Sequence, residues 1–382
     1  MKILITSDYY EPEINGVVTS IKNLKKGLEK DGHEVRILTL AYNVHEEKKN
    51  EVYYIGSFSV AMIYPNARIV IPRIYRLIKE LIDWKPDIIH SQCEFSTFQY
   101  AKYISKKTGA PIVHTYHTVY EGYTHYFCPS KKFGRKAVSK FTRQVSKKTS
   151  AFIVPTQKMY DMLEGYHVKT AMKIIPSGIN IDMFQNNRQE SRKKVRDKYG
   201  IKEDDCVLLF LGRLAKEKNI NELIDMLSST DMYKMRLMIV GDGPCRKELE
   251  EQCRLNGMED KTVFTGMISP DEVSDYYLAG DIFVNASTSE TQGLTYMEAM
   301  ASGLPILCRF DHCLDGVVEN GKNGFLYNNE NEFHYYLNYL IDNIIQRKSI
   351  GEKAKIAIQD KYSVEAFTKS CEELYERCQH IG

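Results

Sequence analysis

The residues best suited to chemistry in this sequence are two glutamates, Glu290 and Glu298, that lie on either side of Gly293. The segment after Gly293 has the pattern of a helix ending at Gly303, and the first N–H groups of a helix attract an anion. One turn inside that helix, Glu298 could accept hydrogen bonds from a ribose diol, and Glu290 could accept them from sugar hydroxyls. An ordinary helix with an acidic first turn would show the same spacing, so both interpretations stay open.

The second candidate is the charged loop 212–219, Gly-Arg-Leu-Ala-Lys-Glu-Lys-Asn, which follows an apolar run typical of a buried strand. It carries two fixed cations, Arg213 and Lys218. An arginine fork and a lysine point charge suit a diphosphate. A solvated charged turn is the alternative.

Two more candidates follow strands of the N-terminal half. Gly16, between the first strand and the first helix, would let the backbone approach a phosphate, although neither a Gly-x-Gly-x-x-Gly pattern nor a Walker loop is present. His114 and His117 end another strand, and either could hydrogen-bond a substrate or transfer a proton. A tight-turn glycine and structural histidines are the alternatives.

The sequence gives little support for a metal or disulfide framework. The nine cysteines are scattered, without a Cys-x-x-Cys pair, and no Asp-x-Asp occurs. We therefore expect no tightly bound metal and no other cofactor. The charge of a diphosphate would be met by Arg213, Lys218 and backbone N–H groups.

Charge is distributed unevenly along the chain. Residues 1–187 carry 27 Lys and Arg against 17 Asp and Glu, a net of +10, whereas the remainder carries a net of −8. Within 129–150 there are eight cations and no acid, and Phe133, Ala137, Val138, Phe141 and Val145 are predicted to share one helical face. A basic amphipathic helix favours an anionic membrane surface, although a solvated face is the alternative. No recognised nucleic-acid-binding module accompanies the charge, so nucleic acid is not an expected partner.

Alternating strand and helix patterns run through all 382 residues, an order typical of parallel sheets covered by helices. The predicted strands are 2–7, 35–40, 86–90, 111–115, 151–154, 173–176, 206–211, 236–240, 262–264, 282–284 and 305–307. The clearest predicted helices are 17–30, 68–83, 97–107, 131–148 and one or two over 351–379.

These patterns predict an α/β fold of two doubly wound Rossmann-like domains that face each other across a cleft, with ligands at the carboxyl ends of the strands. The first domain covers 1–180, the second 200–360, and 361–382 forms a C-terminal helix packing back on the first domain. The polar stretch 180–204 is predicted to be the connection plus an entering helix. No apolar run reaches about 18 residues, and the N-terminus has the pattern of a strand, so a cytoplasmic location is expected.

Taken together, the clusters resemble the GT-B retaining glycosyltransferases, glycosyltransferase family four, over essentially the whole chain. The matching residues are Gly16-Val17, His117, Gly212-Arg213-Leu214 with Lys218, Gly241-Asp242-Gly243-Pro244, and the segment from Glu290 to Glu298. The resemblance implies an N-terminal acceptor-binding domain and a C-terminal nucleotide-sugar-binding domain. It implies catalytic roles for His117, Arg213, Lys218 and Glu290, and donor binding by Gly16, Met267, Gly293, Leu294 and Glu298.

The N-terminal half is most similar to one branch, the bacterial diacylglycerol glucosyltransferases. The similarity rests on segments 15–20, 114–118 and 121–126. It implies transfer of a hexose from a UDP-sugar to a lipid such as diacylglycerol, by an enzyme peripheral on the inner face of the cell membrane. The membrane contacts would be Lys131, Lys132, Arg135, Lys136 and Lys140.

The same resemblance implies transfer with retention by front-face attack, with the departing phosphate oxygen helping to remove the acceptor proton. Arg213 and Lys218 would offset the developing charge, each well-placed donor contributing about 3–4 kcal/mol. Three alternatives stay open: an acceptor that is a wall or capsular glycan, a nucleotide-sugar 2-epimerase, and a non-catalytic partner subunit of the same fold.

Overall fold

The computed structural model describes residues 1–60, 67–121, 131–185 and 187–380. The chain divides into two compact units. The N-terminal unit comprises residues 1–178 together with the chain from Val364 onward, and the C-terminal unit comprises Ile179–Ser363.

The N-terminal unit is built around an eight-stranded sheet, and its first five helices lie in the connections between strands. The strands of this sheet are β1 Lys2–Thr6, β2 Glu34–Leu40, β3 Glu47–Lys49, β4 Val52–Ile55, β7 Ile88–Ser91, β8 Ile112–Thr115, β9 Ala151–Val154 and β10 Ala171–Ile174. Two further strands, β5 Ser57–Ser59 and β6 Arg68–Val70, form a separate two-stranded sheet. The first helices of the unit are α1 Gly16–Lys30, α2 Arg76–Trp84, α3 Ser96–Thr108, α4 Lys131–Ser146 and α5 Gln157–Gly165.

The strand order of the eight-stranded sheet is β10-β9-β8-β7-β1-β2-β4-β3, and all pairs are parallel except β3 with β4. The chain builds outward from β1 on one side and then returns to build outward from β7 on the other. The order therefore reverses between β1 and β7. The segments that follow these two strands leave the same edge of the sheet side by side, where open α/β sheets bind ligands.

The predicted helix over 68–83 is wrong in its first half. Residues Arg68–Val70 form β6, which pairs antiparallel with β5, and the helix begins only at Arg76. The run Ile69-Val70-Ile71 is β-branched and fits a pleated strand. Pro72 then disfavours helical backbone at the residue before it and lacks an N–H for a helical hydrogen bond.

The C-terminal unit contains a six-stranded parallel sheet. Its strands are β11 Cys206–Leu211, β12 Met235–Val240, β13 Thr262–Gly266, β14 Ile282–Asn285, β15 Ile306–Arg309 and β16 Gly324–Tyr327. Its helices are α6 Arg188–Lys198, α7 Ile220–Ser228, α8 Arg246–Leu255, α9 Val273–Ala279, α10 Leu294–Ala301, α11 Glu330–Asp342 and α12 Ile344–Gln359. The described residues of the predicted connection, α6 included, lie in this unit from Ile179 onward.

The strand order here is β13-β12-β11-β14-β15-β16, so the reversal falls between β11 and β14. Buried apolar side chains cover both faces of the sheet. Leu209 and Phe283 belong to one cluster, and Leu208 and Ile282 belong to the other. The predicted pair of doubly wound α/β units is confirmed by these two sheets.

The chain ends with α13, Val364–Gln379, which returns to the N-terminal unit and packs against α1. The contact is close at Gly27, where a Cβ atom would lie 2.0 Å from Oγ1 of Thr368. The glycine therefore allows the two helix backbones to approach each other. At the polar rim, Nε2 of His33 lies 2.6 Å from a carboxylate oxygen of Glu372.

None of the described helices is both long enough and apolar enough to cross a bilayer.

Gly27→Ala is expected to destabilise the N-terminal unit by about 1–2 kcal/mol. Overpacking against Thr368 outweighs the better helix propensity of alanine. Trp84, the single tryptophan of the chain, lies in this unit. Its fluorescence will therefore report the unfolding of the N-terminal unit in urea. Adding Thr368→Ala removes the clashing hydroxyl, which has no hydrogen-bond partner among the described residues, and should restore stability.

The matched control is Gly165→Ala, because no atom lies within 4 Å of a Cβ placed there. Equal midpoints for Gly27→Ala and the parent protein would contradict close packing of α13 on α1.

Candidate functional site

The reversal of strand order in the C-terminal unit brings together the two charged segments found in the sequence. The loop after β11 carries Arg213 and Lys218, and the segment after β14 carries Glu290. Because β11 and β14 are neighbours, both segments leave the same edge of the sheet at the position where α/β sheets bind ligands.

Lys218 and Glu290 form an ion pair at this edge. The ammonium Nζ lies 2.6 Å from Oε1 of Glu290, and the two side chains are 24% and 12% exposed. Burial lowers the pKa of Lys218, but the Glu290 carboxylate outweighs burial and raises that pKa overall. Lys218 is therefore a fixed cation, and a bound anion would compete with Glu290 for it.

Hydrogen bonds to one carbonyl hold the two segments together. The hydroxyls of Ser287 and Ser289 donate to the carbonyl oxygen of Glu217, at 3.1 and 3.2 Å. Asn219, with a φ of 52°, ends the short 3-10 helix Lys216–Lys218 and directs the chain into α7. The sequence analysis missed these serines, because nothing in their spacing indicates which carbonyl they reach.

Two glycines of the loop after β12 allow it to pack closely against the Arg213 loop, which follows β11. A Cβ at Gly241 would lie 2.1 Å from the carbonyl oxygen of Gly212, and one at Gly243 would lie 2.3 Å from that of Leu214. The backbone of the loop after β12 thus lies directly against the loop after β11. Arg213 is exposed on the loop after β11.

The glycine turn before α10 adopts the predicted conformation. Gly293 has a φ of 72° and precedes the first helical residue, Leu294. A Cβ at Gly293 would lie 2.2 Å from the ring of Tyr296, so both the backbone angle and the packing require glycine. The first N–H groups of α10 have no acceptor inside the helix, which gives an anion a place to bind.

Glu298 lies in α10, where it accepts a 2.8 Å hydrogen bond from the hydroxyl of Tyr277. Burial raises the pKa of Glu298 to about 7, and the hydrogen bond from Tyr277 only partly opposes this. The carboxyl group therefore titrates near neutral pH in the ligand-free protein. Tyr277 is a second residue that the sequence analysis missed.

Met267 follows β13, the edge strand of this sheet, and its side chain is 66% exposed. An exposed thioether beside a strand end suits stacking against a flat ring. Its predicted contact with the nucleotide base stays a prediction.

In the N-terminal unit, Gly16 is the first residue of α1 and is exposed. The side chain of Asn15 caps the helix by accepting a 3.0 Å hydrogen bond from the N–H of Val18. The N–H groups of Gly16 and Val17 have no acceptor inside the helix and remain available to an anion.

His117 lies just after β8, and its Nε2 atom is 2.6 Å from Oε1 of Gln92, in the segment after β7. Burial, with a smaller contribution from His114, lowers the pKa of His117 to about 3. The ring is therefore neutral at physiological pH, which suits it to hydrogen bonding rather than to donating a proton as an imidazolium.

His114, the other candidate, is buried among protein groups. Its Nε2 lies 3.1 Å from Oε1 of Glu94, and the hydroxyl of Tyr120 donates to the other oxygen of that carboxylate. His114 is completely buried and Glu94 is 3% exposed. Of the two histidines, His114 fits the structural alternative and His117 is the better candidate for substrate contact.

The apolar residues of the basic helix α4 differ in burial. Val138 and Val145 are buried, whereas Phe133 is 72% exposed and Ala137 is also exposed. At 100° per residue, position 137 points about 80–100° away from positions 138 and 145, and position 133 points about 120–140° away from them. The five apolar residues predicted to share one helical face therefore span about 140° of the helix, with Val138 and Val145 on its buried side and Phe133 and Ala137 on its exposed side.

The exposed side of α4 also carries cations. Arg135, Lys136 and Lys140 are exposed, and Nε of Arg135 lies 3.1 Å from a carboxylate oxygen of Glu121. The side chains of Lys131 and Lys132, and the motif residues 122–126, lie outside the described part of the structure.

Nine large apolar side chains of the described N-terminal unit are exposed. Ile174 is in β10, Phe58 and Ile69 are in β5 and β6, and Ile74 follows β6. The other five lie in connections that follow the carboxyl ends of β1, β2, β7 and β8, namely Ile14, Tyr42, Val44, Phe95 and, in the first turn of α4, Phe133. We call these five residues the apolar edge. Single exposed apolar residues are ordinary, but their concentration at one edge of a sheet indicates an apolar partner there.

Among the residues that the structure describes, no three His, Cys, Asp or Glu side chains are grouped so that they could hold a metal ion.

Two family models match the chain, one for each half. Residues 14–183 match Glycosyltransferase Family 4, and residues 191–357 match Glycosyl transferases group 1.

Full-length relatives agree with these matches. Alpha-monoglucosyldiacylglycerol synthase of Acholeplasma laidlawii is 35% identical, covering 98% of this chain and 96% of the relative. The synthase of the same name from Streptococcus pneumoniae is 34% identical, covering 98% and 85%. The structure of Anabaena HepE in complex with UDP-glucose superposes with a TM-score of 0.79 at 19% identity, covering 99% of this chain and all of HepE.

The fold and the matched domains define a glycosyltransferase of the GT-B architecture. The chain belongs to the glycosyltransferases whose two halves are the family 4 and group 1 domains.

If Glu298 binds a ribose, affinity for UDP-glucose should fall as the pH decreases through 7. The ionised carboxylate accepts two hydrogen bonds, whereas the protonated group has lost one acceptor site. A single linked proton allows at most about a tenfold change in affinity per pH unit. Calorimetric titration at pH 6, 7 and 8 tests this, and UDP-glucose itself has no phosphate group that titrates in this range.

Glu298→Gln should bind more weakly than the parent protein at pH 8 and should lose this pH dependence. An identical pH dependence in both proteins would exclude Glu298 as its source.

Proposed function

We propose that this protein is a retaining glycosyltransferase that moves glucose from UDP-glucose to the free hydroxyl of a membrane lipid of the diacylglycerol type, without a metal ion. It acts at the cytoplasmic face of the membrane, as a peripheral protein. The supporting observation from this chain is the apolar edge, which lies at the carboxyl ends of the strands where Gly16 and His117 are also found.

The donor side of the proposal rests on the C-terminal unit. Arg213, Lys218 and the first N–H groups of α10 offer positive charge at the reversal of strand order. The solved structure of HepE holds UDP-glucose and has the same fold. A uridine diphosphate sugar therefore suits the charges of this unit, with Glu298 on the ribose and Glu290 on sugar hydroxyls.

The acceptor side rests on the N-terminal unit. Two relatives at 34–35% identity are synthases named for monoglucosyldiacylglycerol. A diacylglycerol has one hydroxyl and two acyl chains, so a protein that binds it must present apolar surface near its reacting groups. The apolar edge meets that need, whereas a glycan acceptor would call for polar side chains at the same place.

In the proposed reaction the acceptor hydroxyl attacks the anomeric carbon from the face that the diphosphate leaves. The bond from that carbon to the phosphate oxygen breaks, the bond to the acceptor oxygen forms, and the hydroxyl proton passes to the departing phosphate oxygen. Arg213 and Lys218 offset the negative charge that develops on the diphosphate. His117, being neutral, hydrogen-bonds the sugar.

Incubation with labelled UDP-glucose and vesicles containing diacylglycerol should yield glucosyldiacylglycerol. Proton NMR of the product should show the α anomer, the configuration of the donor. Activity should persist in EDTA.

Arg213→Ala should lower kcat by about 10²-fold or more, because the guanidinium offsets charge on the leaving diphosphate. The unfolding midpoint should not change, because the side chain is exposed.

Each alternative has its own outcome. Label appearing only in a glycan of a cell extract would indicate a glycan acceptor, and a sugar epimerised without acceptor would indicate a 2-epimerase. No turnover of any UDP-sugar, with binding intact, would indicate a non-catalytic subunit. A β-linked product would contradict retention.

Membrane contact by α4 gives a separate prediction. Replacing Lys131, Lys132, Arg135 and Lys136 with Ser should weaken binding to vesicles of anionic lipid by more than about tenfold, because each cation near the surface contributes about 1 kcal/mol. Phe133→Ser should also weaken binding, through loss of an inserted ring. Sedimentation with vesicles measures both effects.

The controls match these changes in charge and exposure. Four exposed lysines elsewhere on the N-terminal unit, Lys26, Lys79, Lys106 and Lys107, are replaced with Ser, and Tyr233, as exposed as Phe133 at 72%, is replaced with Ser. Equal losses in the test and control variants would show that net charge or exposed aromatic area, rather than α4, governs binding.

A further inference from the structure

Two side chains of the segment after β7 contact β8 and the segment after it. Gln92 meets His117 at 2.6 Å, and Glu94 accepts hydrogen bonds from Tyr120 and His114. The two hydrogen bonds to Glu94 fix the ends of the short stretch that contains His117, because His114 precedes it and Tyr120 follows it. The histidine therefore lies on a stretch of chain held at both ends.

Gln92 is itself held firmly. Its backbone N–H donates a 2.8 Å hydrogen bond to the carbonyl oxygen of Thr6, at the end of β1. Gln92 is also only 3% exposed. Gln92 thus stands at the reversal of strand order between β1 and β7, the place in this sheet where a ligand is expected.

The atom of Gln92 that meets the ring is its amide oxygen, which can only accept a hydrogen bond. Nε2 of His117 must therefore carry a hydrogen, and in a neutral imidazole the remaining nitrogen, Nδ1, then carries a lone pair. We propose that Gln92 is a positioning residue that fixes His117 in the Nε2–H tautomer, so that Nδ1 is presented to substrate as a hydrogen-bond acceptor.

Several titratable groups lie on β7, β8 and the segments that follow these strands. His90 and His114 are buried on β7 and β8, and Glu94 and Tyr120 lie on the adjoining segments. Burial lowers the pKa of His90 to about 3, so it carries no charge near neutrality. Glu94 is the carboxylate of this group, and its oxygens are engaged by His114 and Tyr120 rather than by His117.

The inference rests on the proposed function only in the step that says which group of the substrate the His117 tautomer contacts. An acceptor at Nδ1 would take a hydrogen bond from a sugar hydroxyl, which donates. The opposite tautomer would present an N–H, which could donate to a phosphate oxygen as well as to a hydroxyl oxygen. Gln92 would thus select which part of the donor His117 contacts.

The tautomer is measured directly by ¹⁵N NMR of protein labelled in histidine, with the His117 signals assigned by comparison with His117→Asn. The expected result is protonated Nε2 and unprotonated Nδ1 at pH 7. A protonated Nδ1, or an average of both forms, would overturn the proposal. This measurement needs no substrate, so it stands even if the proposed reaction is wrong.

Gln92→Glu supplies the kinetic test. A carboxylate against Nε2 favours the charged ring and raises the pKa of His117. At saturating UDP-glucose, kcat of the variant should fall about tenfold between pH 8.5 and pH 6 and should recover fully at pH 8.5, where the ring is neutral again. The parent protein should show no such decrease in kcat.

Gln99→Glu, an exposed position on the adjoining α3, makes the same chemical change away from the ring and should behave as the parent protein. A merely structural Gln92 would give a Glu variant that is impaired equally at every pH, with a lowered unfolding temperature. That outcome would contradict the proposal. Absence of lipid glucosylation in the parent protein would instead contradict the proposed function.

Discussion

The constraint on which the candidate site depends is the reversal of strand order in each parallel sheet. Parallel strands all end at one edge, and where the order reverses the connections on either side diverge onto opposite faces, leaving room between them. In the C-terminal unit this occurs between β11 and β14, and it brings Lys218 within 2.6 Å of Glu290 although 72 residues separate them. In the N-terminal unit it occurs between β1 and β7, beside Gln92.

The charges at the first of these places are arranged before any ligand binds. Lys218 keeps its proton because Glu290 opposes its burial, and the serines that bind Glu217 hold the two segments in register. A ligand that carries two negative charges would meet fixed cations and helix N–H groups that need little rearrangement. Preorganised charge of this kind is how enzymes stabilise a leaving anion.

The second place is arranged differently. Its polar groups satisfy one another almost entirely within the protein, through Gln92 with His117 and Glu94 with His114 and Tyr120. Around them lie exposed apolar side chains such as Phe95, which stacks on Phe141 of α4 with 5.7 Å between ring centroids. One unit thus presents charged groups at its sheet edge, whereas the other presents hydrogen-bonding groups that are paired within the protein, beside exposed apolar side chains. A charged donor and a lipid acceptor, as proposed, would need this difference.

The sequence by itself determined the alternation of strands and helices, the glycine turn at Gly293 and the types of residue at strand ends. These depend on local properties: apolar periodicity, backbone freedom and capping. It failed at residues 68–70, where β-branched side chains and Pro72 outweighed a weak helical pattern. It left open which side chains of α4 pack against the protein, and there the structure buries Val138 and exposes Phe133. Only the tertiary structure decided that Lys218 pairs with Glu290, that Tyr277 contacts Glu298 and that Gln92 holds His117. Each of these contacts joins segments from neighbouring or distant strands, and strand order is set by the packing of the whole sheet rather than by any local pattern.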